Sequence, residues 1–292
     1  MRRQLQEWRH KMDYFKGKTA VVTGAGGTLC SAIAVDLARK GARVVLIGRT
    51  EEKLKAVKNV IDDFGGESMI AACDVTDEKR MCEIAKKIGE RFGPCKFLVN
   101  GAGGNNGKVM TTNKCFEQGE LELDNSTEFK GFFNIDMNAF EDVLKINTIG
   151  SVIPSRIFGR QMAQNGGGSI INFASMNSYC PLTKVPAYAM SKSAVMALTK
   201  WLAAYLAPAG IRVNAIAPGF FANERSEKFL GTPETGLSPR GQSVIDHTPM
   251  ERFGKADDLL GTAEWLLNDE KSAFVSGITV PVDGGFLTRS GV

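Results

Sequence analysis

Histidine is almost missing from this 292-residue chain, which carries only His10 and His247. A histidine-rich metal site is excluded, and a Ser-His-Asp triad would have to use His247. No Gly-x-Ser-x-Gly elbow is present either, which argues against a hydrolase. No apolar stretch reaches the roughly 18 residues of a membrane span, so no membrane partner is expected. The basic start, Arg2, Arg3, Arg9, His10 and Lys11, is interrupted by Glu7 and lacks the apolar run of a signal peptide. Charge of one sign is scarce as well. The 36 basic and 32 acidic residues leave a formal net charge of +4, with no block that would suit a nucleic-acid partner. Six scattered cysteines (Cys30, Cys73, Cys82, Cys95, Cys115, Cys180) include no Cys-x-x-Cys. They fit reduced thiols in a cytoplasmic protein better than a disulfide framework.

What is present is a rhythm. A polar lead-in covers residues 1–17. The β-branched run Thr19–Thr23 then stops at Gly24-Ala25-Gly26-Gly27. Leu29, Ile33 and Leu37 recur at helical spacing up to Lys40, and Gly41 closes that helix. Further apolar strands are expected at Val44–Ile47, Met69–Cys73, Phe97–Asn100, Ser169–Phe173, Arg212–Ala217 and Ile278–Val282. Helices are expected at 51–64, with Thr50 as cap, and at 78–92, 139–164 and 186–207. Continuous apolar strands alternating with helices predict an α/β fold. One domain over 18–292 accounts for the whole pattern. Two stretches break it, an insertion at 105–136 and a loop at 220–248 without a strand. Both follow strand C-terminal ends, where open α/β sheets bind ligands.

The first strand–loop–helix unit has the composition of a phosphate cradle. Its glycines are irregular: Thr28 and Cys30 stand where a regular fingerprint carries glycine. An acidic residue at the end of the second strand would bind a ribose hydroxyl. Gly48-Arg49-Thr50 stands there instead. Arg49 suits a phosphate or the adenine face, which leans toward NADP(H), or it is a plain surface residue. Asp74 suits the adenine amino group, a helix cap, or both.

Tyr188 and Lys192 are four residues apart, hence on one helical face. A lysine cation beside a phenol favours the phenolate and makes it a usable proton donor or acceptor. The spacing alone is weak, because Tyr14 and Lys18 share it; the bland reading of such a pair is a solvated helix face with a half-buried ring. Ser175, thirteen residues before Tyr188, could donate to a substrate carbonyl. The Asn147 amide could hold a water linking Lys192 to solvent.

These segments, with Thr23-Gly24, Asn100-Gly101-Ala102-Gly103 and Pro218-Gly219, resemble the ordered motifs of the short-chain dehydrogenase/reductase family over residues 18–286. The resemblance implies a single-domain Rossmann fold with a seven-stranded parallel sheet, and an Asn147, Ser175, Tyr188, Lys192 tetrad. It implies NAD(P) bound by Gly24, Gly27, Thr28, Leu29, Arg49, Asp74, Val75, Asn100, Gly101, Ala102, Tyr188, Lys192, Pro218, Gly219 and Phe221. A homotetramer is expected as well.

Within the family, Ser175-Met176-Asn177, Pro181–Tyr188, Ala217–Phe221, His247–Met250 and Val282–Phe286 resemble the bacterial D-mannonate oxidoreductase branch. That implies a sugar-acid substrate in hexuronate breakdown. Its carboxylate and hydroxyls call for a cation and polar partners. The candidates are Asn105, Asn177, Lys184, Arg240 and His247. The alternatives are a solvated Lys184, a subunit contact for Arg240 and a buried hydrogen-bonded ring for His247.

Overall fold

Side chains alternate along each strand, and here both sets are apolar. Ala20 and Val22 of β1 (Thr19–Thr23) face one core, and Val21 faces the other. Val44 and Leu46 of β2 (Arg43–Gly48) likewise face the first core, with Val45 and Ile47 facing the second. A sheet of such strands must be covered on both faces. The first core is closed by α1 (Thr28–Arg39) and α2 (Glu51–Asp63) through Ile33, Leu37, Leu54 and Ile61. The second is closed by α3 (Glu78–Phe92) and α4 (Met137–Gln164) through Met81, Ile88, Phe158 and Met162.

The computed structural model describes residues 14–121, 129–232 and 235–289, with Glu224 and Arg225 described by backbone alone. The expected lead-in falls mostly outside these residues. The remaining strands are β3 (Ser68–Ala72), β4 (Cys95–Asn100), β5 (Gly168–Phe173), β6 (Ile211–Pro218) and, further on, β7 (Thr279–Val282). All seven pair in parallel in the order β3-β2-β1-β4-β5-β6-β7. Helix α5 (Pro186–Leu206) packs beside α4. The fold is therefore the single-domain Rossmann-type sheet that the sequence predicts. The chain reverses its direction of travel across the sheet between β1 and β4, and the crevice at their carboxyl ends is where such folds bind ligands.

Three local expectations need correction. Thr50 sits at the N-cap of α2 but makes no side-chain cap bond; Glu51 and Glu52 in the first turn complement the helix dipole instead. The cap of α3 is Asp77, whose carboxylate accepts from Arg80 N–H at 3.0 Å, not Asp74. The 220–248 loop is not strandless. It holds α6 (Glu224–Leu230), α7 (Pro239–His247) and a hairpin of Gly231–Thr232 with Gly236–Leu237. Strands of two residues are too short to show a period.

Tyr14 differs from its expected surroundings as well. It is 8% exposed, and its ring lies 5.1 Å from Phe15 and 5.9 Å from Phe97. Its hydroxyl accepts from Asp269 N–H at 3.1 Å, and Lys18 Nζ stands 3.5 Å over the ring. Burial pushes its phenol above the ordinary range. Tyr14 and Lys18 are thus a packing pair that seals the start of β1 (α8, Leu260–Leu267, covers the same core).

Candidate active site

The cradle between β1 and α1 is made by close approach. Gly24 has φ +69°, and a Cβ there would lie 2.6 Å from the Gly101 carbonyl oxygen, so only glycine fits. Gly27 N–H donates to Gly24 O at 2.9 Å and closes the turn. Gly27 is also the N-cap of α1 and offers no side-chain cap. The first-turn N–H groups of α1, including those of Thr28 and Leu29, stay open for an anion by helix geometry. A nicotinamide dinucleotide pyrophosphate fits this cradle. Thr23, which the sequence reading quoted within the Thr23-Gly24 motif without giving it a role, holds its far wall. Its Oγ1 accepts from Gly101 N–H at 3.1 Å and Ala102 N–H at 3.2 Å. A β-branched residue ending a strand gives no signal of that role.

At the end of β2 and β3, Arg49 is exposed and Asp74 is half-buried. Asp74 Oδ1 accepts from Thr76 N–H and Oγ1, both at 2.8 Å. Burial raises its carboxyl, but the Thr76 donors, with Arg49 and Lys145 nearby, outweigh that and hold it below the usual range. Asp74 is thus a fixed, ionised acceptor. Val75 beside it is buried.

Other expected cofactor contacts also have structural roles. Asn100 commits its amide to Ser155 Oγ and Asn172 Oδ1, both at 2.8 Å, tying β4 to α4 and β5. The Phe221 ring is 6% exposed and fills the space beside Gly254. Pro218 ends β6, and Gly219 N–H donates to Val282 O at 2.9 Å.

The tetrad is delivered by three elements. Asn147 comes from α4, Ser175 from the turn after β5, and Tyr188 and Lys192 from α5. The Ser175 turn is fastened to α5 by Ser178 Oγ, which donates to Lys192 O at 2.7 Å. Gly103 sits at the junction. A Cβ there would overlap Asn147 Oδ1 and lie 3.6 Å from Lys192 Nζ. Lys192 Nζ donates to Phe173 O at 2.7 Å and stands 5.6 Å from the Tyr188 ring centroid. Burial lowers its pKa to about 8.

The Asn147 amide is not placed as expected. Its Nδ2 donates to Gly104 O at 2.7 Å and Val143 O at 2.8 Å, and its Oδ1 accepts from Gly104 N–H at 3.2 Å. Both amide hydrogens are committed, so Asn147 clamps the β4 loop rather than holding a water through its Nδ2 hydrogens. Ser175 Oγ accepts from Asn177 N–H and Nδ2 and has no acceptor for its own proton among the described residues.

Of the expected substrate residues, two also make bonds within the fold. Asn177 is 4% exposed, and its Oδ1 accepts from Leu182 N–H at 2.9 Å. Lys184 has φ +73°, and its ammonium donates to Thr112 O, which pins the 105–136 insertion. Each nitrogen keeps at least one hydrogen beyond these bonds, two on the Lys184 ammonium and one on the Asn177 amide. Asn105 is half-buried just past Gly104. Arg240 is exposed in the first turn of α7. His247 is exposed rather than buried; its Nδ1 donates to Ser243 O at 2.7 Å, leaving Nε2 as an acceptor in the neutral ring. A cavity of ≈610 Å³ lies between the insertion and the Pro181–Pro186 turn, walled by Phe116, Phe132, Phe133 and Leu182. No tetrad residue lines it.

Residues 18–231 match the short chain dehydrogenase family model. The chain belongs to that family. It is 42% identical over 276 residues to the oxidoreductase UxuB of Bacillus subtilis (strain 168), covering 94% of this chain and 97% of the relative. It superposes with a TM-score of 0.88 on a candidate D-mannonate oxidoreductase from Haemophilus influenza solved with bound NAD. That match is 38% identical over 95% of this chain and 97% of the other. It also superposes, with a TM-score of 0.77 and 31% identity, on a candidate NAD(P)-dependent gluconate 5-dehydrogenase from Beutenbergia cavernae holding NADP at low occupancy. That match covers 94% and 98% of the two chains. The chain is thus an oxidoreductase of the short-chain family.

Proposed function

We propose that the protein interconverts D-mannonate and D-fructuronate by hydride transfer at C5 with NAD(P). The observation that carries this reading is the assembly of Ser175, Tyr188 and Lys192 beside a glycine cradle shaped for a pyrophosphate. The similarity to a candidate D-mannonate oxidoreductase supports the choice of substrate. Bound in the cradle, the dinucleotide supplies or accepts the hydride. In the reducing direction, Ser175 donates its free proton to the ketone oxygen. Tyr188 donates to the same oxygen and transfers its proton as the C5 alkoxide forms. Lys192, charged below about pH 8, favours the resulting phenolate. Asn147 keeps Gly103 and Gly104 in place above the lysine. Arg49 beside Asp74 favours NADP(H), since a guanidinium suits a phosphate and is placed next to the adenine acceptor.

A second reading keeps the chemistry and changes the sugar acid to 5-ketogluconate or tagaturonate. The similarity to a gluconate 5-dehydrogenase favours the first of these. A panel of sugar acids followed at the nicotinamide absorbance, with NADH and NADPH in separate runs, decides between them. Fructuronate should be reduced with the highest kcat/KM. Faster turnover of 5-ketogluconate would replace the first reading with the second. Tyr188→Phe should abolish turnover while sparing dinucleotide affinity.

The working form is a cytoplasmic homotetramer in this proposal. Met190, Trp201 and Tyr205 on α5 and Ile149 on α4 are exposed, and the Trp201 and Tyr205 rings stack at 4.7 Å. Such an apolar face suits a second copy of the chain.

A further inference from the structure

Cys30 replaces a glycine of the regular fingerprint, and the space its side chain takes has a definite owner. A Cβ built on Gly101 would overlap Cys30 Sγ. Gly101 does not occupy the left-handed region, so its conformation does not call for glycine. Its neighbours do. Thr23 O lies 3.1 Å from the same Cβ position, and Gly24 approaches from the other side. Cys30 is 4% exposed and sits in the first turn of α1. It is also close enough to Lys192 that each group shifts the other's ionisation. One small volume therefore touches the pyrophosphate end of α1, the end of β4 and the catalytic lysine.

We infer that Cys30 and Gly101 form a complementary volume pair that sets the spacing between the α1 N-terminus and the β4 end, which makes Cys30 a positioning residue for the dinucleotide. Residue 30 has room for its side chain because residue 101 has none. The pair rests on the dinucleotide reading of the crevice and not on the identity of the sugar acid. Free choice at either position alone is forbidden, since two side chains overlap and two glycines leave a void beside Lys192.

The test is a double-variant cycle with Gly101→Ala, Cys30→Gly, Cys30→Gly/Gly101→Ala and Cys30→Ser. Two readouts are taken: melting of the ligand-free protein, and NADH and NADPH affinity by fluorescence titration. Gly101→Ala should lower Tm by about 5 °C and weaken dinucleotide binding roughly 10-fold. Adding Cys30→Gly to it should restore both, with affinity within about 3-fold of the parent. Cys30→Ser keeps the volume and should stay within about 3-fold of the parent. Effects that add, so that the double variant is worse than Gly101→Ala, overturn the pair. If Gly101→Ala yields no folded protein, a folded double variant supports the pair and an unfolded one overturns it. A parent that melts normally but binds neither dinucleotide overturns the positioning role, and the melting cycle then reads the packing alone.

Discussion

Asn177 donates twice to one atom, its N–H at 3.2 Å and its Nδ2 at 3.3 Å both ending on Ser175 Oγ. The Asn177 Oδ1 accepts from Leu182 N–H, which fixes the amide with its nitrogen toward the serine. Both lone pairs of the hydroxyl are used, so its proton is left to donate outward. In the proposed mechanism, Asn177 acts through Ser175.

Removing that amide should cost turnover and spare cofactor binding. Asn177→Ala should lower kcat about 10-fold through a loosened Ser175. Asn177→Asp should cost more, on the order of 100-fold, because a carboxylate accepts the serine proton that the substrate needs. Steady-state kinetics with a parallel dinucleotide titration reads this. An Asp variant matching the parent would remove Asn177 from the site's support.

Lys192 sets a pH limit. Its pKa of about 8 in the fold lies below the ordinary 10.5 because burial disfavours the cation. Above pH 8 the folded protein sheds this proton, the phenolate loses its partner charge, and kcat should fall. Stability moves the other way. Between pH 8 and 10.5 the unfolded chain holds a proton that the folded chain has shed, so the lysine's cost to folding shrinks as pH rises. At pH 7 the buried cation costs about 3 kcal/mol, partly offset by its bond to Phe173 O. Lys192→Met should therefore be inactive yet more stable at pH 7, by roughly 1 kcal/mol after the orphaned carbonyl is counted. Urea melts at pH 7 and 9.5 should show that gain shrinking or reversing.

Lys184 and Arg240 separate on their surroundings. Lys184 holds the insertion through Thr112 and Thr111, whose N–H donates to Lys184 O at 3.1 Å. Lys184→Ala should leave the Michaelis constant for fructuronate within about 3-fold of the parent and make the 105–136 segment easier to cleave by protease. Arg240 is exposed on α7 with no ion pair among the described residues. Arg240→Ala should raise that constant about 10-fold and spare dinucleotide affinity.

The seven strands were legible because each is a short apolar run flanked by glycine or a polar turn. The proposed catalytic residues could be picked out because the proposed chemistry needs particular types near strand ends. The bonding partners of the expected substrate residues were not legible. Asn177 and Lys184 lie near the tetrad in sequence, and proximity alone suggested contact. Their amide and ammonium also bond Ser175, Leu182 and Thr112, partners that only the folded turn brings near. Asn147 shows the same limit, since its partner Gly104 lies 43 residues away along the chain. The volume shared by Cys30 and Gly101 leaves no trace beyond an irregular glycine pattern.

The last contrast is between two Tyr-x-x-x-Lys pairs in one chain. Tyr14 is buried against Phe15 and Phe97 and accepts from Asp269 N–H. Asp269 in turn accepts from Arg212 Nε at 3.0 Å and Nη2 at 2.7 Å. Burial holds the Tyr14 phenol protonated, and Lys18 lies over its ring rather than beside its oxygen. Tyr14→Phe should keep full activity and lose about 1 kcal/mol of stability, the cost of leaving one part-buried N–H without this acceptor. Tyr188→Phe should do the reverse, losing turnover while melting within about 2 °C of the parent. Paired melting curves and initial rates on the two variants read this, and loss of activity in the Tyr14 variant would mean that the first pair is more than packing.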